Sequence, residues 1–257
     1  MSSPSVSPDD WDQHWEHYAE ANAQNPAQRM RYRIIARLLC ETKGAKRNIL
    51  ELGSGQGDLL RKLDALLPDA RFLGIEMSEK GAAISRQKVS RATIIAADIM
   101  RPPADLHPYV GWANQAVCSE VLEHVDDPVS FLRQARRYLA NRGRLIITVP
   151  GGPMSAFDRH IGHRQHFTRK KLARILAEAG YSVERVFASG FPFFNLFRLL
   201  IIARGEGLAR DLEAQSMSLV SKVGMFLMKG FDLLFYCNLP NSPYGWQLVA
   251  VARKGLV

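Results

Sequence analysis

Cysteine is scarce: Cys40, Cys118 and Cys237 are the only three in 257 residues, and they stand far apart. They form no disulfide framework and no metal-ligand pair. That excludes a disulfide-stapled scaffold and a thiolate zinc module, and makes a reducing, cytoplasmic setting the expectation. Long apolar runs are also missing. No stretch of about 18 uncharged apolar residues occurs, so no membrane span is expected. The opening "MSSPSVSPDDWDQHW" has no basic region leading into an apolar run and does not read as a secretory signal. Internal repeats are absent.

Acids are outnumbered, 25 Asp and Glu against 34 Lys and Arg, for a net charge of +9. Residues 29–62 carry nine basic residues against three acids, and residues 159–185 carry seven against two. A surface of this kind favours anionic partners: acidic substrates, anionic lipid heads or nucleic acid. Yet no aromatic sheet motif, zinc finger or helix-turn-helix signature is present, so nucleic acid is not the expected partner. Hydrophobic content of 47% and charged content of 23% are ordinary for a globular chain long enough to bury a sizeable core.

What is present is alternation. A helix is expected from Asp10, with Trp11, Trp15 and Tyr18 on one face. Another follows in "NPAQRMRYRIIARLLC", where Asn25 caps and Pro26 takes the first position. From there strands and helices alternate: "NILEL", "RFLGIE", "ATIIAAD", "QAVCSEV", "RLIITVP" and "SVERVFAS" read as strands. The helix "DDPVSFLRQARRYLANRG" is expected to run from Asp127 to its stop at Gly143. Near-continuous apolar strands between helices mean an α/β fold with a parallel sheet covered on both faces. Residues 190–243 break the rhythm as an apolar helical insertion, before a last strand, "GWQLVAVARK", expected to run antiparallel. The division is therefore 1–44, an N-terminal helical lid; 45–189, a core; 190–243, the insertion, a cap or an interface; and 244–257, the core's last strand.

"ELGSGQGDLL" (51–60) is the most informative segment. Gly53, Gly55 and Gly57 permit tight turns and remove Cβ atoms where a ligand meets backbone. The spacing is not that of a dinucleotide loop, and no Gly-Lys-Ser/Thr follows to make a phosphate loop. Glu51 before it disfavours phosphate and suits a cationic ligand, one with an amino group or a sulfonium. Glu76 ends the second strand, where a carboxylate can accept both hydroxyls of a ribose. Asp98 ends the third, placed for an adenine amino group, with Ile75, Met77 and Ile99 as candidate walls for the ring.

The chain from about Asn48 to Gly180 resembles the class I S-adenosylmethionine-dependent methyltransferases, in "ILELGSGQGDLL", "GIEMS", "AADI" and "CSEVLEHVDDPVSFLRQARRYLANRGRLIITVP". The last stretch is similar to the small-molecule type 11/12 branch. The resemblance implies a Rossmann-like class I methyltransferase fold: a mostly parallel seven-stranded sheet with an antiparallel last strand, N-terminal lid helices and a C-terminal helical insertion. It implies S-adenosyl-L-methionine as cofactor. By motif position, Glu51, Gly53, Ser54, Gly55 and Gly57 would hold its methionine part. Glu76 would meet the ribose, and Asp98 and Ile99 the adenine, with Met77 as a further wall of the ring. Ser119 and Glu120 would line the transfer site, and Tyr18 would close over it.

The expected activity is methyl transfer to a small-molecule or lipid-like acceptor, most readily at oxygen. Carbon or nitrogen of a secondary metabolite, a non-catalytic adaptor on the same fold, and aminopropyl transfer are the alternatives. A hydroxyl acceptor needs a base. His124, beyond the fourth strand, and His163 and His166, beyond the fifth, are the candidates. Arg159, His160, Arg164 and Phe194 are the candidate acceptor contacts. The His-x-x-His-x-x-His spacing has no cysteine near it and too few ligands for a closed zinc site, so no metal is expected. The apolar insertion and the basic surface admit a peripheral membrane contact or a homodimer.

Overall fold

The structure, a computed structural model, describes residues 11–12, 25–42, 47–204 and 230–255. Tyr18 and Trp15 lie outside the described residues, with most of the expected lid. So do residues 205–229 of the expected insertion.

Helix α1 spans Pro26–Cys40, and Asn25 caps it by accepting from the Ala27 amide at 2.9 Å. Then come β1 (Arg47–Leu52), α2 (Asp58–Leu66), β2 (Ala70–Glu76), α3 (Glu79–Lys88), β3 (Ala92–Ala96) and β4 (Ala113–Ser119). They are followed by α4 (Pro128–Tyr138), β5 (Leu139–Pro150), α5 (Ala156–His160), α6 (Arg169–Glu178), β6 (Tyr181–Ser189), α7 (Phe193–Arg204) and β7 (Gln247–Lys254). The seven strands form one sheet in the order β3-β2-β1-β4-β5-β7-β6. Strands β1 to β5 pair in parallel, and β7 runs antiparallel to both β5 and β6. The parallel sheet is the one that the alternation implied, and its order with the antiparallel β7 is the Rossmann-like class I arrangement that the resemblance implied. Strand order reverses between β1 and β4, so the crevice for a ligand lies beyond their C-terminal ends.

Alternate residues of each central strand serve opposite faces. Leu50, Leu52, Cys118 and Ile147 enter one core with α4 and α6. Ile49, Val117 and Ile146 enter the other with α1 and α2. Arg144, almost fully buried, pins α1 to the sheet by donating to the Leu38 carbonyl (2.6 Å) and to Glu41 (2.8 Å).

The helix expected to reach Gly143 stops instead at Tyr138, and β5 begins at Leu139. Leu139 is fully buried and pairs with Ala113, so a ladder partner overrides local helix propensity. Gly143 is needed for closeness rather than for helix termination. A Cβ there would stand 2.9 Å from the Ala140 carbonyl and 3.0 Å from that of Ala113.

Helix α7 is turned inside out. Its polar Asn195 and Arg198 face inward, while Leu196, Leu199 and Leu200 are about half exposed, at 47%, 49% and 50%. Asn195 donates to the Tyr244 carbonyl (2.7 Å) and accepts from the Trp246 amide (3.0 Å). Phe194 and Phe197 pack with Ala27, Met30, Phe231 and Phe235 in a separate apolar cluster. Among the described residues, no helix is long and apolar enough to cross a membrane.

Candidate functional site

The glycine loop leaves β1 and hangs on β2. The amides of Gly53 and Ser54 both donate to the Ile75 carbonyl, at 2.8 and 3.2 Å. Gly53, Gly55 and Gly57 all have positive φ, at 68°, 52° and 76°, the left-handed region where a side chain is strained. Glu76 closes the loop: one carboxylate oxygen accepts from the Gly55 amide (2.7 Å), the other from the Ser78 amide (3.0 Å).

Glu51 is only 4% exposed, and its Oε2 has no hydrogen-bond partner. Burial pushes its carboxyl well above the usual range, and the negative charges of Glu76 and Asp58 add to this. A buried carboxylate with an unused oxygen at the base of a backbone loop suits an ammonium ligand. Asp98 caps the turn after β3, accepting from the Met100 amide at 2.8 Å. Ile75 and Ile99 sit in the core, whereas Met77 is 53% exposed at the rim. Asp12, from the N-terminal segment, accepts from the Ser78 hydroxyl and the Lys80 amide.

Beyond β4 lies a second group. A Cβ on Gly53 would meet Val121 Cγ2 at 2.5 Å, so the glycine loop and the Glu120–His124 segment are in direct contact. Glu120 adopts φ +54°, uncommon for a residue with a side chain. Its carboxylate accepts from Thr148 Oγ1 (3.1 Å) and Gln247 Nε2 (3.0 Å) and faces Arg31 (3.5 Å). The Thr148 hydroxyl gives its one proton to Glu120, so the Ser119 hydroxyl, 2.8 Å away, donates to Thr148.

The histidines form the third group. His124 Nδ1 lies 3.2 Å from the Gly162 carbonyl, and its ring meets Trp11 and His163 edge-on, both at 4.7 Å. His163 Nδ1 lies 3.2 Å from His166 Nε2, and His166 Nδ1 lies 3.1 Å from the Gly152 carbonyl. Burial, reinforced by His124, holds the His163 imidazolium far below its usual pKa; burial also lowers that of His166. Both rings are therefore neutral near pH 7.

Asp158 is fully buried behind them. It accepts from the Ser155 amide and hydroxyl (2.7 and 2.8 Å) and twice from Arg198 (2.8 and 2.9 Å). Burial alone would raise its carboxyl pKa, but the Arg198 bonds and charge win and hold it at about 2. Glu123 is fully buried too, yet neither of its oxygens has a hydrogen-bond partner.

His124, His163 and His166 thus come together next to Ser119 and Glu120. Arg159 and His160 project from α5 into solvent, and Arg164 pairs with Asp126. Phe194 packs in the α7 cluster, away from the histidines. Sequence reasoning passed over Arg31, Glu123, Thr148, Asp158, Arg198 and Gln247. For Asp158 a signal existed: Ser155-x-x-Asp158 is a capping-box spacing, and both of its reciprocal bonds are present.

A sequence family described as "Methyltransferase domain" matches residues 15–186. The Ubiquinone biosynthesis O-methyltransferase of Sodalis glossinidius (strain morsitans) is 27% identical over 105 residues, 40% of this chain and 41% of that protein. The chain spans less than half the length of the curated relatives it matches, 46% and 41%. Among solved structures, a putative sarcosine dimethylglycine methyltransferase from Galdieria sulphuraria is similar, with a TM-score of 0.59 and 14% identity, covering 87% of this chain and 85% of that one. Haemonchus contortus phosphoethanolamine N-methyltransferase 2 in complex with S-adenosyl-L-methionine has a TM-score of 0.54 at 16% identity, covering 84% and 50%. At these identities the structural likeness establishes the shared fold.

Proposed function

Because the chain belongs to this methyltransferase domain family, we propose that it transfers a methyl group from S-adenosyl-L-methionine to an oxygen of a small-molecule or lipid-like acceptor. The observation that carries this reading is Glu51, buried with an unused oxygen at the foot of three left-handed glycines. That pocket offers backbone and a carboxylate but no phosphate cradle, the chemistry an amino acid head with an ammonium group requires. Glu76 holds the loop in shape through the Gly55 and Ser78 amides, at the strand end where the ribose is proposed to lie. Asp98 and the exposed Met77, at the ends of β3 and β2, are the proposed contacts of the base.

S-adenosyl-L-methionine, when bound, supplies an electrophilic methyl group on a sulfonium. The protein's own task is to bring an acceptor oxygen in line with it and to stabilise that oxygen as its proton leaves. The segment that carries Glu120 and His124 touches the glycine loop at Val121, and His124 meets His163, which supports an acceptor site beside these two rings. The neutral His163 ring offers a lone pair to a hydroxyl, although burial makes it a weak base. The name of the Sodalis relative, an O-methyltransferase, favours oxygen. Arg198 ties α7 to Asp158 behind the histidines.

The test is methyl transfer itself. Purified protein is incubated with methyl-labelled S-adenosyl-L-methionine and extracts of metabolites and lipids, and labelled products are analysed by mass spectrometry. A labelled methyl ether or ester is expected. Label found on carbon or nitrogen would overturn the oxygen assignment, and label that never leaves the donor would count against methyl transfer.

A further inference from the structure

We infer that Glu123, His124 and His163 form a binding site for a divalent cation at the acceptor end of the proposed methyl-transfer site. Only the cation's use depends on the methyl-transfer reading; the site itself stands on the following geometry.

One donor atom from each of the three residues lies within 4.8 Å of the other two. Metal bonds of about 2.0–2.2 Å to imidazole nitrogen and carboxylate oxygen place neighbouring donors roughly 3–4 Å apart, so the group needs little closure to hold an ion. Glu123 lacks a partner among the described residues: it is fully buried, and neither oxygen meets a donor. Buried polar oxygens left unpaired are costly, and a cation would satisfy both.

The two rings are oriented for ligation. A carbonyl only accepts, so His166 donates through Nδ1 to Gly152. Its neutral ring then accepts at Nε2 from His163 Nδ1. That leaves the His163 lone pair on Nε2. His124 Nδ1 lies 3.2 Å from the Gly162 carbonyl, which fixes the plane of its ring beside Glu123. Ligating histidines characteristically give their other N–H to a carbonyl or a similar outer partner. The two segments are also stitched together by backbone: the Arg164 amide donates to the Glu123 carbonyl at 2.8 Å, and Gln165 Nε2 to the Val125 carbonyl at 3.2 Å. The ligands are thus held in place before any ion arrives.

A second group, Asp158, His163 and His166, also lies within ligand spacing. Its carboxylate is already saturated by Ser155 and balanced by Arg198, so it has no need of an ion. Two imidazoles and one carboxylate suit Mn, Fe, Co or Zn, and three protein donors leave positions open for an acceptor oxygen. The expectation of no metal weighed only the histidine spacing. One of those histidines, His160, lies on the surface, and the decisive carboxylate comes from the segment after β4.

The test uses tagless full-length protein, stripped with a chelator and titrated with Co²⁺ by visible absorption and calorimetry. One equivalent should bind with ligand-field bands of nitrogen coordination. Glu123→Gln and His163→Ala should each weaken binding about 100-fold or more, beyond the roughly 10–100-fold typical of outer-shell changes. His160→Ala should leave it unchanged. Wild-type protein that takes up no Co²⁺, or a folded Glu123→Gln variant that binds it as wild type does, overturns the site. S-adenosylhomocysteine binding is measured separately on the stripped protein. Its presence without Co²⁺ uptake sinks only the cation site. Its absence alongside Co²⁺ uptake sinks the methyl-transfer reading and leaves the cation site standing.

Discussion

Glu51→Gln should make the ligand-free protein more stable and the liganded one weaker. Glu51 is 4% exposed, with Oε2 unpartnered and Glu76 and Asp58 acting on it electrostatically, so burial lifts its carboxyl well above the ordinary 4.5. Below pH 4.5 the side chain is protonated in both folded and unfolded chains, and Glu51 carries no ionisation penalty. Between that value and the raised folded pKa, only the folded chain keeps the proton. Stability therefore falls as pH rises through this window and stays low above it. Glutamine has no proton to lose, so the variant's advantage should grow from pH 5 towards pH 8. An unmatched buried polar group costs about 1–3 kcal/mol. In a protein of this size each kcal/mol moves Tm by roughly 2–4 °C, which gives a rise of about 2–12 °C. S-adenosylhomocysteine should show the opposite. Losing one hydrogen bond to a charged group costs about 1.5–3 kcal/mol, or roughly 10- to 150-fold in Kd. Scanning calorimetry from pH 5 to 8 and titration calorimetry measure the two halves. A variant no more stable than wild type at pH 8 would refute the unpaired carboxylate. A stabilised variant with unchanged affinity would remove Glu51 from the ligand site.

Glu76→Ala removes the bonds to the Gly55 and Ser78 amides and should weaken S-adenosylhomocysteine about 10- to 150-fold in titration calorimetry; unchanged affinity in a folded protein would contradict its role as the loop's clasp. Arg144→Met strands the Leu38 carbonyl and Glu41, and should cost about 3 kcal/mol, a Tm drop of roughly 6–12 °C, with cofactor affinity largely kept. His163→Ala should lower turnover about 10²- to 10⁴-fold while S-adenosylhomocysteine binds as before; undiminished turnover would take the histidine out of the acceptor end.

The glycine loop was legible because left-handed backbone leaves a residue-level trace: only glycine tolerates such φ values without strain, and three recur at alternate positions. The strand-end acids were legible for a similar reason, since a charge closing an apolar run stands out. What surrounds Glu120 was not. Arg31 and Gln247 meet across 216 residues, and Gln247 reaches Glu120 across 127, so no local pattern links them. Glu123 was hidden because its environment, not its neighbours in sequence, makes it unusual. The start of β5 was misread for the converse reason: "RRYLANRG" favours helix locally, and only the pairing of Leu139 with Ala113 makes it strand. For α7, composition revealed the helix but could not say which side faces out.

That orientation makes α7 a lever. Its outer arm is a row of leucines; its inner arm is Arg198, whose guanidinium grips Asp158, which in turn lies within 4 Å of His163 and His166. A substitution that removes Arg198 would leave Asp158 a buried charge without its counter-ion, directly beside both imidazoles.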